Sequence, residues 1–220
     1  MNIPLASIAP LPEALSRPGL NGSGRRHRIG QHDIDPGILR HFNDLLAQID
    51  LDHVPLDRDQ VASAARELVD RNVEERVDGI APRCIRQRMR RAGAIDLMFH
   101  DPEWDARPSP AFAARLVVDY IRGSVSVIPN ALPVVGRLDD AVMVETAWPQ
   151  AAAEVRDYLD FCRVRRIEAE LRNERRLHFG FTRANWVAAR QAEAEWIAHC
   201  RRVATSTYVP AGGVRGFRVN

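Results

Sequence analysis

The sequence predicts an all-α protein: an irregular bundle of about six helices, built around a central hairpin of helix, proline-bent loop and helix. Three observations carry that expectation. Apolar residues recur at steps of three and four over several long runs, which is the period of one helix face. Capping residues stand at the heads of those runs. Prolines and glycines punctuate the gaps between them.

Residues 1–31 read as a flexible, disordered N-terminal arm. Pro4, Pro10, Pro12 and Pro18 interrupt any helix, and Asn21-Gly22-Ser23-Gly24 resembles a linker. The basic tetrad Arg25-Arg26-His27-Arg28 follows; it is a solvated tail able to touch phosphates. A first helix is predicted from Asp35, an N-cap, with Pro36 at the first helical position. Ile38, Leu39, Phe42, Leu45, Leu46 and Ile49 line its inner face. Asp57 opens a second helix, running through Val61, Leu68 and Val73 to Val77. Pro82 opens a third that reaches Met89, with Gly93 as its end. Ala94 to His100 is a short apolar piece, and 101–110 is a loop with three prolines.

A fourth helix is expected over 110–122 and a long one over 151–176. The long one turns Val155, Leu159, Cys162 and Ile167 inward. Gly180 breaks it, and Thr182 caps a last helix through about Val203. That helix has Trp186, Ala189, Trp196, Cys200 and Val203 on one face. The layout is an arm over 1–31, one helical domain over 32–204, and a tail over 205–220 that is loose or adds one short strand.

Composition excludes several chemistries. All 31 basic residues are arginine, and there is no lysine. Lysine-dependent mechanisms are therefore closed, the phosphate-loop lysine and Schiff-base chemistry among them. The arginines are spread along the whole chain, which fits the codon bias of a GC-rich genome. Net charge is +2, so there is no whole-chain bias toward polyanions. Cys84, Cys162 and Cys200 are few and widely spaced. They form no CxxC for zinc or redox work, and free thiols in a reducing compartment are the expectation. Met1 to Leu20 lacks the pattern of a cleaved secretory signal. No stretch of about 18 apolar residues predicts a spanning helix.

The densest signal is Y-I-R-G-S-V-S-V-I-P-N-A-L-P-V-V-G-R-L-D-D over residues 120–140. It resembles the YkvA-like family, an uncharacterised bacterial domain, and with flanking helices the likeness covers about 110–150. Tyr120, Ile128, Pro129, Pro133, Val134, Gly136, Leu138, Asp139 and Asp140 fall in the family's register without a gap. Ser124 stands where the family has proline; Ser126 and Asn130 stand where it has aspartate. The resemblance implies that Tyr120, Pro129, Asn130, Pro133, Gly136, Asp139 and Asp140 are the binding set. It also implies an association with membranes.

The residues themselves give a structural account. Pro129 and Pro133 prevent a continuous helix, and Gly136 permits a turn. Asp139 and Asp140 then sit at a helix start, where acids favour the positive end of the dipole. The uncharged run from Gly123 to Gly136 is too short to cross a membrane and suits a buried hairpin or an interfacial loop.

Other constellations are weaker. Two His-Asp dyads, His32-Asp33 and His100-Asp101, each precede a proline and read as loop entries. A metal-dependent hydrolase would draw on His100, Asp101, Asp139 and Asp140, since imidazole plus carboxylates suits a divalent ion. Arg83, Arg86 and Arg90 share one helix face as a basic patch, the footprint of the third reading, nucleic-acid binding. No aromatic residues interleave with it to stack bases. There is no G-x-S-x-G and no phosphate-cradling glycine loop.

The reading taken first is a non-catalytic interaction module with an unidentified protein partner and no cofactor. It is placed in the cytoplasm, or at a membrane surface on the inner face. Substrate and pathway are not written in the sequence.

Overall fold

The computed structural model describes residues 8–17, 27–74, 81–175 and 179–205. The expectations for Arg25 and Arg26, for the helix end at Val77 and for the tail beyond Thr205 lie outside those residues. Contacts group the chain into two compact units, 1–159 and 160–220.

Among the described residues there are six α-helices: α1 (Pro36–Ile49), α2 (Arg58–Glu74), α3 (Arg83–His100), α4 (Pro108–Arg122), α5 (Leu138–Leu171) and α6 (Arg183–Thr205). The all-α expectation is met. One two-residue ladder accompanies the helices, β1 (Arg28–Ile29) antiparallel to β2 (His32–Asp33), turning at Gly30 with φ 61°.

The caps explain where helices start. Asp35 accepts from the amides of Gly37 and Ile38 at 2.7 and 2.9 Å, with Pro36 at the first position. Asp57 and Gln60 form a reciprocal box: the Gln60 amide donates to Asp57 at 2.7 Å and the Asp57 amide to Gln60 at 2.8 Å. Thr182 and Asn185 repeat that arrangement ahead of α6.

In the first unit, Phe42 and Leu46 of α1, Leu68 of α2, Ile95 and Met98 of α3 and Met143 of α5 are all fully buried. A loop over 101–107 is fixed to α5. Tyr158 donates its hydroxyl to Asp101 at 3.1 Å, and Trp104 meets the Tyr158 ring edge-on. The buried carboxylate of Glu154 takes both the amide and the guanidinium of Arg107. In the second unit, Phe161, Phe179 and Phe181 cluster, and Trp186 donates its indole N–H to Asp160 at 2.9 Å.

Four details depart from expectation. Residues 8–17 are not loose: a 3₁₀ turn over Glu13–Ser16 packs in the first unit, and the Ala9 amide donates to Gln87 at 2.8 Å. Gly93 does not end α3, because Ala92, Ala94, Ile95 and Met98 around it are buried. That burial outweighs the roughly 1 kcal/mol a helical glycine costs. The long helix begins at Leu138 rather than 151 and runs through Pro149, with Ile167 exposed rather than inward. Finally, no residue of α6 is buried.

Arg88 explains the packing of residues 8–17. Although it stands among Arg83, Arg86, Arg90 and Arg91 on α3, it is 2% exposed. Its guanidinium donates to the carbonyls of Ala9 and Cys84 at 2.8 and 3.0 Å and to Glu145 at 3.0 Å. Glu145 is half exposed and can rehydrate, so the lost bonds to the two carbonyls dominate the effect of removing Arg88. Arg88→Ala is expected to cost about 2 kcal/mol in denaturant unfolding. It should also speed proteolysis within residues 8–17.

Candidate functional site

The proline-bent loop is built from its backbone. α4 ends at Arg122, where the Gly123 amide closes on the Tyr120 carbonyl at 3.1 Å, and beyond it the Leu132 amide returns to the Pro129 carbonyl at 3.0 Å. A second turn follows, from the Val135 amide to the Pro133 carbonyl at 2.7 Å. The left-handed conformation falls on Val134, at φ 69°, an unfavourable place for a β-branched residue. Gly136 serves a different purpose from the one its sequence suggests. It needs no positive φ; a Cβ there would come within 2.5 Å of the Asn130 carbonyl oxygen and 2.6 Å of the Leu132 one. Glycine is required for close approach of backbone to backbone.

This turn delivers Asp139 and Asp140 to the first turn of α5. Both are sealed, at 3% and 1% exposure. Asp139 Oδ2 accepts three donors: the Tyr120 hydroxyl at 2.7 Å, the Val127 amide at 2.9 Å and the Ile128 amide at 3.2 Å. The carboxylate thus ties the end of α4, the descending limb of the loop and the start of α5 together. Tyr120 is held in turn by Phe42, ring centroids 5.1 Å apart. His32 of β2 adds a further tie, its Nε2 donating to the Val127 carbonyl at 3.1 Å.

Electrostatics separate the two acids. Burial pushes the Asp139 carboxyl above its usual range, opposed by the Tyr120 hydroxyl and the Ile128 amide. Burial, and then the neighbouring Asp139 charge, push Asp140 up to about 7. Arg137, 3.5 Å away and half exposed, offsets this only in part. Burial and the adjacent Asp139 raise the Tyr120 hydroxyl as well. Asp139 Oδ1 and Asp140 Oδ2 are buried with no hydrogen-bond partner among the described residues.

The remaining sequence candidates scatter. His100, at the end of α3, donates Nδ1–H to the Asp96 carbonyl at 2.9 Å, and its Nε2 faces the Arg122 guanidinium at 3.4 Å. Asp101 is engaged by Tyr158. Among the described residues no three His, Cys, Asp or Glu side chains converge as metal ligands, so His100, Asp101, Asp139 and Asp140 do not assemble one site. Pro129 is half-buried, while Asn130 and Pro133 are exposed on the turn.

Arg83, Arg86 and Arg90 lie exposed along α3, and none forms an ion pair among the described residues. In the apolar run, Val127, Ile128 and Val135 are core, whereas Val125 is 51% exposed. Two cavities open in the first unit. One of about 470 Å³ is lined by Leu11, Leu15, His53, Leu56, Arg88 and Glu145. Another, of about 240 Å³, is lined by Met89, Asp96, Val117, Arg122 and Arg137. Neither is lined by Asp139 or Asp140.

No family model matches the chain, nor does any curated protein or solved structure.

Proposed function

We propose that the chain is a non-catalytic helical interaction module, in which the YkvA-like motif over 120–140 is a structural latch and the exposed face of α6 is the docking element. The observation that carries this reading is α6 itself. It is a 23-residue helix without a buried residue, displaying Trp196 at 66% and Ile197 at 42% exposure. Large apolar side chains clustered at a surface mark contact sites. The acid pair supports the same reading from the other side, since Asp139 accepts three internal donors and neither acid lines either of the two cavities described above.

A peripheral membrane position belongs to the same proposal. Val125 is its exposed apolar contact, between Arg122 and Arg137. A second reading, binding of a nucleic-acid backbone, has the unpaired arginines of α3 in its favour.

One experiment separates these. The purified full chain, Trp196→Glu, Val125→Asp, and Arg86→Ala with Arg90→Ala are tested for protein association, vesicle co-sedimentation and duplex DNA binding. The module reading expects Trp196→Glu to abolish association and the arginine variant to leave it intact. Salt-steep DNA binding lost only in the arginine variant would replace it with the second reading.

A further inference from the structure

We infer that the larger cavity of the first unit binds a small carboxylate with a short apolar body, the head held between Arg88 and His53. This site goes beyond the docking reading of α6 and does not depend on it. Its volume of about 470 Å³ is that of a small-molecule pocket. Leu11 and Leu15 of the N-terminal segment, Leu56 of the loop before α2 and Val142 of α5 supply an apolar wall. Two polar groups in that wall have bonding capacity left over. Arg88 carries five N–H donors. That of Nε is spent on Glu145, and the two of Nη1 on the carbonyls of Ala9 and Cys84. The two of Nη2 meet no acceptor among the described residues. A guanidinium 2% exposed has lost most of its hydration, and donors left unmade there are costly. His53 Nε2 is likewise buried without a partner among the described residues. Burial lowers the His53 pKa against the opposing charge of Asp50. The ring is then neutral at pH 7, and Nε2 can carry its one N–H.

Charge selects the head of the ligand. Glu145 Oε2 is shared between Arg88 at 3.0 Å and Arg91 at 3.5 Å, so two guanidiniums meet one carboxylate. One further anionic group balances the cluster. Asp50 does not supply it, being exposed and screened by water. A ligand carboxylate with one oxygen on Arg88 Nη2 and the other on His53 Nε2 uses the donors left over. Such charge-assisted bonds are about twice as strong as neutral ones. An ammonium head would meet donors only. A bare anion would leave the leucine wall in water, where burial of an apolar body contributes most of a small ligand's affinity.

The test is calorimetric titration of the full chain at pH 7 with octanoate, octanamide and acetate. Saturable one-to-one binding of octanoate is expected. Octanamide keeps the body and removes the charge, and acetate keeps only the head, so each should bind about tenfold more weakly or worse. Two variants locate the site. Leu15→Asp sets an acid in the wall, and His53→Leu deletes the Nε2 donor at similar size. Each should weaken octanoate about tenfold, with circular dichroism checking the fold. Bound octanoate should also slow proteolysis within residues 8–17, because Leu11 and Leu15 line the cavity and a ligand of the native state favours that state. Absence of saturable octanoate binding, with water alone in the cavity, overturns the inference. So does octanamide binding as tightly as octanoate, which would show a merely apolar pocket. So does octanoate binding unchanged in both variants, or leaving cleavage within 8–17 as fast as before, which would put it on another surface.

Discussion

Asp139→Ala is expected to remove about 4 kcal/mol of stability from the first unit, a large fraction of what a typical domain holds. The substitution deletes the acceptor of three donors, the Tyr120 hydroxyl and the amides of Val127 and Ile128, and leaves the Val127 amide only its longer 3.3 Å bond to the Tyr120 hydroxyl. Each buried donor left unmade costs about 1–3 kcal/mol. Water cannot easily reach them, since Val127 and Ile128 are 2% and 0% exposed. Tyr120→Phe is the graded control. It removes the hydroxyl's bond to Asp139 and the 3.3 Å bond it accepts from the Val127 amide, but both amides keep Asp139 as acceptor, so about 1 kcal/mol is expected. Denaturant unfolding of both variants measures the ratio, and equal losses would contradict the latch.

Asp140→Asn is expected to act in the opposite direction, stabilising the chain above neutrality. Asp140 is raised from the ordinary carboxylate range to about 7 by burial and by the charge of Asp139. A carboxyl raised on folding binds its proton more tightly in the native state. Stability is then greatest below the unfolded value near 4 and declines as pH rises through the folded value near 7. Three units correspond to about 4 kcal/mol at most, shared with Asp139 because adjacent buried acids titrate as a pair. Asparagine keeps the shape without the charge. Unfolding free energies at pH 5 and pH 8 should show a decline in the parent and a flatter profile in Asp140→Asn, with the variant ahead at pH 8 by about 2 kcal/mol or more. His53, lowered by burial, biases the parent toward greater stability at higher pH. The difference between the two proteins removes that contribution, which is common to both.

Local rules carried much of the fold. Asp35-Pro36, Asp57 and Thr182 state helix starts in short-range chemistry, and the caps stand where that chemistry puts them. The start of α5 was less legible. Ala141, Val142, Met143, Val144 and Ala147 are all buried, and a helix apolar all round has no face for periodicity to find. Gly93 reads as a breaker because a single sequence does not display the burial that overrides it. At the site, the two prolines and Gly136 announced a turn and Asp139 a helix start. The pairing of Asp139 with Tyr120 across 19 residues is a tertiary fact. Arg88 was more accessible: with Cys84, Ala92 and Ile95 it falls on the buried stripe of α3, and that spacing separates it from Arg83, Arg86 and Arg90.

The most direct test of the latch, and so of a non-catalytic motif, is the melting temperature of the purified chain with EDTA and then with magnesium, manganese or zinc. The latch predicts one melting temperature in all four conditions and a deep drop in Asp139→Ala whatever is added. A rise of several degrees with one cation, absent from Asp139→Ala and Asp140→Ala, would show a ligand bound to the native state and would return the acid pair to chemistry.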